Sequence, residues 1–262
     1  MSGAYQNELN TTNPLGSGGK LAVFFGELLQ RLWCGNTLTC RPSKIKKQIG
    51  EDAPHFLGYQ QQDSFEFLCY LLHLVHEDIN LSTIKPYIEE KEQSGRPDGV
   101  YANEIWNNFK IRNDSFIINH FFHLVKSTVR CDHTDCKDIR TNFNPQNSIT
   151  LPIPKSSAND TENNHHVVPS FDLKDCFTEY LKEKQLDATD KWHCNKCRQN
   201  GREPFRQSYL KNVVFNTPHI LILRFNRFSL GQQQVGQQGM QARRIKDETF
   251  ICKYIPFLHK LL

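Results

Sequence analysis

His123-Leu-Val-Lys-Ser-Thr-Val-Arg-Cys131 marks the point at which the patterning of this chain changes. Val125 and Val129 alternate with Lys126 and Thr128, the period-two signature of a strand. Before this stretch, apolar residues repeat with helical spacing. Leu21, Phe24, Phe25, Leu28 and Leu32 make one helix face, with Gly35 as its stop. Leu68, Leu71, Leu72, Val75 and Ile79 make the buried stripe of a helix predicted over Ser64–Ile79, with His73, His76 and Glu77 elsewhere on its circumference. Asp63 stands at the N-cap of that helix, and Glu66 follows at capping-box spacing. Further helices are expected around Ile105, Trp106 and Phe109, and over Asp114–Phe122. After the stretch, strands are predicted over Ile149–Ile153, Ser208–Phe215, Ile220–Phe228 and Thr249–Phe257. One amphipathic helix carries Leu173, Phe177, Tyr180 and Leu181, and residues 155–170 read as a polar linker. Helices first and strands later predict an α+β fold. Its helical portion is about residues 1–122 and its β-rich portion about 123–262.

The 262 residues carry 32 Lys and Arg against 28 Asp and Glu, a net charge of +4 without the clustered excess of a nucleic-acid binder. Aromatic residues make up 11% of the chain, enough to build a core and to exclude wholesale disorder. Between Arg31 and Lys47 there are five basic residues and no acid, read as a solvated helix face. The apolar runs fall short of a membrane span, and the first residues show no secretory leader. Nine cysteines, an odd number, suit a reducing compartment, so the expected location is intracellular, cytoplasm or nucleus.

Four of those cysteines come in pairs. Cys194-Asn-Lys-Cys197 has the CxxC form in which two thiolates on one turn share a tetrahedral ion, and Cys131-Asp-His-Thr-Asp-Cys136 is a looser version. Each pair lies beside a predicted strand, as it would at a hairpin tip. A structural zinc held by Cys131, Cys136, Cys194 and Cys197 is the expectation, with His133 or His193 as an alternative to one thiolate. The 57 residues between Cys136 and Cys194 exclude a compact zinc ribbon and imply an ion joining two distant hairpins. Cys69 and Cys176 are expected in the core and Cys252 in a strand, while Cys34 and Cys40 lie near a helix end.

Several segments resemble, in order, the ubiquitin-specific proteases. Gly58-Tyr-Gln-Gln-Gln-Asp-Ser-Phe-Glu-Phe-Leu68 resembles their QQD-x-x-EFL motif. Arg112-Asn-Asp-Ser with His123–Cys131 is similar to the strand entering the first zinc knuckle. Ile149-Thr-Leu-Pro-Ile-Pro154 resembles the following strand, and Asp190–Cys197 the second knuckle. Thr217-Pro-His-Ile-Leu-Ile-Leu-Arg-Phe-Asn-Arg-Phe228 is similar to the palm strand, with Asn226 where Lys is usual. The opening Tyr5-Gln-Asn-Glu-Leu-Asn and Asn13-Pro-Leu-Gly16 resemble the subgroup bearing N-terminal DUSP and ubiquitin-like modules.

The resemblance implies a papain-like hand of thumb, palm and zinc-knit fingers. Its reaction is thiol-dependent hydrolysis of the bond after ubiquitin's C-terminal glycine, with a Cys nucleophile, a His base and an acid or amide orienting the His. Ubiquitin and ubiquitinated proteins are the implied partners. Asp63 and Glu66 are the implied contacts for ubiquitin's basic C-terminal tail. The nucleophile box is not matched: Gly35-Asn36-Thr37 is followed by Leu38, and no Gly-rich box surrounds His219 or His259. No catalytic residue is therefore assigned, and the expectation is a hand truncated at both ends and inactive alone. A non-catalytic ubiquitin-binding relative and a zinc-dependent interaction module are the competing readings.

Overall fold

The computed structural model describes residues 3–34, 39–89, 91–93, 95–154, 171–187, 189–226, 228–229 and 243–244. The chain forms two compact units, Met1–Phe122 with Pro218–Ile220, and His123–Thr217 with Leu221–Leu262.

The first unit is helical: α1 (Lys20–Trp33), α2 (Ser43–Asp52), α3 (Ser64–Asp78), α4 (Asp98–Arg112) and α5 (Phe116–Phe121). α1 packs on α2 and α3, and α3 on α5. Leu21, Ala22, Ile45, Ile49, Leu72, Val75, Ile79, Ile117 and Ile118 are buried there. The lysines of α2 stay outside, with Lys44 paired to Glu27 at 2.8 Å. The α1 stripe runs out before the helix does, since Leu32 is 59% and Trp33 75% exposed.

α3 departs from its sequence pattern. Leu68 and Leu71 are only half-buried, whereas His76 and Glu77, placed by periodicity away from the core, are buried. Two segments cause this: residues 113–115 meet His76, whose Nδ1 lies 2.8 Å from Ser115 Oγ, and the segment preceding α1 wraps the C-terminal turn of α3 at Glu77 and Asp78. Asn13 Nδ2 donates to the Glu77 carbonyl at 2.8 Å and to Glu77 Oε2 at 2.7 Å. Ser17 donates to Asp78 from its amide and its hydroxyl, each at 2.6 Å. Asp78 Oδ2 also accepts from the Ala22 amide at 3.1 Å, and Ser17 Oγ from the Leu21 amide at 2.8 Å. Gly19 supplies no side-chain cap, so Ser17 and Asp78 satisfy two N–H groups that the start of α1 leaves unpaired. The positive end of α1 also suits the Asp78 carboxylate. Gly16 is required by this approach, because a Cβ there would lie 2.7 Å from Asp78 Oδ1.

The second unit holds the strands. β1 (His123–Cys131), β2 (Ile139–Gln146), β7 (Ser208–Val214) and β4 (Lys184–Gln185) form an antiparallel sheet in the order β2-β1-β7-β4. β3 (Ser148–Pro152) pairs in parallel with β8 (Ile222–Asn226). β5 (Trp192–His193) and β6 (Phe205–Arg206) form a small hairpin enclosing α7 (Asn195–Gln199). A last pair joins Phe228–Ser229 to Arg243–Arg244. α6 (Leu173–Leu181) carries the fully buried Phe177 and Cys176 into a core with Ile149, Leu151 and Val214. β2 went unpredicted because Asn142, Asn144 and Pro145 mask its alternation. Thr141 and Phe143 are nonetheless buried, and Pro145 is tolerated because β2 is an edge strand of this sheet. The expected linker 155–170, the strand Thr249–Phe257, Cys252 and His259 lie outside the described residues. Among those residues no helix is long and apolar enough to cross a membrane.

Candidate metal centre and acidic helix cap

The β1–β2 hairpin turns through residues 132–138, with Cys131 closing β1 and Cys136 in the turn. The turn closes with the Cys131 amide donating to the Asp138 carbonyl at 2.9 Å. Lys137 takes a positive φ of 48°, uncommon for a residue other than glycine. The second pair sits at the start of α7, where the Cys194 sulfur accepts from the Cys197 amide at 3.4 Å. Sheet register brings the pairs together. Cys131 faces Ser208 across β1 and β7, and the Asp132 amide donates to the Gln207 carbonyl at 3.2 Å. β6 leads directly into β7, so the end of β1 meets the base of the second hairpin.

The four sulfurs all lie within 4.8 Å of one another, and all four residues are buried. Cys131 and Cys197 are 3.8 Å apart, and Cys136 and Cys194 are 3.5 Å apart. A tetrahedron with metal–sulfur bonds of about 2.3 Å has edges of about 3.8 Å. Burial pushes the Cys194 thiol up to about 11 and raises Cys131 and Cys197 as well. Burial acts upward on Cys136 too, but the Asp138 amide and the neighbouring sulfurs outweigh it and hold that thiol low. Such a cluster cannot carry several negative charges without a cation in its centre. Trp192 packs against it.

Neither alternative histidine joins the group. His133 Nδ1 accepts from the Asp135 amide at 3.2 Å, and the His193 ring meets Phe205 edge-on at 5.2 Å. Of the remaining cysteines, Cys176 is buried, Cys69 only half-buried and Cys34 exposed. Cys69 was expected in the core; it lies in the first turns of α3, which the wrapping segment does not cover.

Asp63 and Glu66 stand at the start of α3. Asp63 Oδ1 accepts from the Phe65 amide at 2.8 Å and the Glu66 amide at 3.4 Å. Glu66 is 59% exposed and lies 3.5 Å from His55 Nε2, a partner that spacing gave no means of finding. Gln62 Nε2 donates to the His55 carbonyl at 3.1 Å, holding the preceding loop against the same turn. Next to this turn Tyr59 is 99% exposed, with Lys46 Nζ 4.3 Å from its ring centre. The helix start thus presents two carboxylates, one of them largely in solvent, suited to cationic partners.

The model of the ubiquitin carboxyl-terminal hydrolase family matches residues 2–253, and the chain belongs to that family. Over 150 residues it is 44% identical to ubiquitin carboxyl-terminal hydrolase 4 of Rattus norvegicus, covering 57% of this chain and 15% of that protein. Over 154 residues it is 45% identical to ubiquitin carboxyl-terminal hydrolase 15 of Xenopus tropicalis, covering 59% of this chain and 16% of that one. The match thus spans about a sixth of the length of those relatives. Among solved structures, the SAGA Ubp8/Sgf11/Sus1/Sgf73 DUB module bound to ubiquitin aldehyde is similar with a TM-score of 0.56 at 17% identity. That likeness covers 94% of this chain and 44% of the other, and at this identity it concerns the fold.

Proposed function

We propose that this chain is the ubiquitin-holding part of a thiol-dependent deubiquitinase. In this reading the first unit supplies thumb helices and the second supplies fingers and palm strands. The observation that carries it is the family match over residues 2–253, joined by the DUB module structures solved with ubiquitin. Cys131, Cys136, Cys194 and Cys197 hold one zinc, whose four thiolate ligands leave no position for water, so the ion serves structure and not catalysis. Asp63 caps α3 and, with Glu66, faces the basic C-terminal tail of ubiquitin, where an arginine fork pairs with a carboxylate. All described cysteines are free thiols, which fits the reducing cytoplasm or nucleus.

The chain alone binds ubiquitin and does not hydrolyse its conjugates, because its sequence matches neither the family's Cys box nor its His box, and Gly35-Asn36-Thr37 is a chance likeness followed by Leu38. Incubation with a fluorogenic ubiquitin C-terminal substrate and a ubiquitin electrophile tests this. The expected result is binding without turnover or adduct. Turnover abolished by Cys40→Ala would contradict it, as would a chain that shows no affinity for ubiquitin.

A further inference from the structure

We propose that His120 and His219 form a second, separate metal site, a two-imidazole chelate for zinc. His120 lies in the last turn of α5, and its Nδ1 is 2.9 Å from the Phe116 carbonyl oxygen. A carbonyl oxygen only accepts, so Nδ1 carries the proton and Nε2 keeps its lone pair. Metal-binding histidines are usually held in this way, one ring N–H donated to a fixed oxygen and the other nitrogen facing the ion. The plane of the ring is fixed as well, because Phe116 stacks on it at 3.8 Å and 21°.

The second imidazole arrives from a distant part of the sequence. Pro218–Ile220 belongs to the helical unit, fastened by the Ile220 amide donating to the His120 carbonyl at 2.8 Å. This places the His219 ring centre 5.2 Å from that of His120, tilted by 40°. With zinc–nitrogen bonds of about 2.0–2.1 Å, each ring centre lies about 3.2 Å from the ion. At a tetrahedral angle the two centres are then about 5.2 Å apart. His219 is exposed, so its ring turns within its broad χ2 well to aim a nitrogen inward while the backbone stays fixed. Two neutral nitrogen donors select zinc over magnesium or calcium, and water completes the coordination. The bound ion clamps the segment before β8 to α5.

The test titrates ZnCl2 into the full chain by calorimetry while long-range 1H–15N spectra follow the imidazoles. The expected result is a zinc-binding event beyond that of the sulfur cluster, with the His120 Nε2 resonance shifting as it fills. His120→Gln and His219→Gln each weaken it at least about tenfold, while His165→Gln and a magnesium titration leave the resonances in place. A chain with no such event, or an event that survives both substitutions, overturns the proposal. The imidazole spectra read the site directly, so the outcome does not depend on occupancy of the cysteines.

Discussion

Each unit has a buried polar centre, and the two are built on opposite principles. The helical unit buries carboxylates and an imidazole: Asp78 on the amides of Ser17 and Ala22, Glu77 between Asn13 and Lys85, and His76 between Ser115 and Asn113. Every charge there is met by hydrogen bonds from the protein itself. The β unit buries four thiols whose amide bonds cannot offset the charge they carry once deprotonated. One centre is complete as the chain folds, and in the proposed reading a cation completes the other.

Breaking the sulfur centre should therefore have the largest effect. Chelation, or Cys194→Ser, is expected to unfold the tips of both hairpins, because structural zinc sites contribute roughly 10–16 kcal/mol of apparent binding energy. Elemental analysis should give about one zinc lost with Cys194, and hydrogen exchange should rise around Cys131–Asp138 and Trp192–Arg206. Exchange in α1 and α3 should not change. A well-ordered hairpin pair after chelation would contradict the contrast.

Asp78→Ala attacks the other centre and leaves the Ala22 and Ser17 amides without their carboxylate. Hydrogen bonds to charged groups contribute about 1.5–3 kcal/mol each, so a loss on the order of 3 kcal/mol is expected in urea denaturation. Exchange should now rise at the start of α1 and remain low around the cysteines.

Acid sharpens the comparison further. Burial holds His76 below its ordinary pKa of 6.5, against the pull of Glu77 and Asn113, with His73 and Lys85 adding to the depression. The unfolded chain thus takes up a proton before the folded one does, and the helical unit loses stability as pH falls below 6.5. Burial also acts upward on Glu77, but Lys85 and Asn13 hold its charged form and keep it below 4.5. Its contribution is present above 4.5 and is lost as pH falls through the lowered folded value. Denaturant midpoints at pH 7.5 and pH 5.5 should differ more for the parent than for His76→Gln. Equal pH dependence in the two would show that His76 does not carry the effect.

The contrast also explains what could be read from the sequence. Sulfur pairs announce themselves because both ligands of a knuckle lie within one turn. The strand ending at Cys131 and the CxxC at Cys194 were both visible, and the register that joins them follows from β1 pairing with β7. The carboxylate centre has no such spacing. Asp78 meets Ser17 across 61 positions, and periodicity on α3 placed Glu77 and His76 off its buried stripe, where the segment before α1 meets Glu77 and residues 113–115 meet His76. β2 was hidden because the inward pair, Thr141 and Phe143, is embedded among asparagines. The Asp63 cap was legible because a cap is local.

The smallest structural effect belongs to Asp63. Asp63→Ala should cost about 1 kcal/mol, and Asp63→Asn only a few tenths, since Asn caps a helix nearly as well. That near-neutrality makes Asp63→Asn the most direct probe of the functional claim. The measurement is a titration of the chain with ubiquitin, and with ubiquitin lacking its tail arginines, at low and moderate salt. The account predicts that parent affinity falls with Asp63→Asn, falls again without the tail arginines, and that the two losses do not add. A parent that binds ubiquitin and an Asp63→Asn variant that binds it equally tightly would contradict it, leaving Asp63 as a helix cap alone.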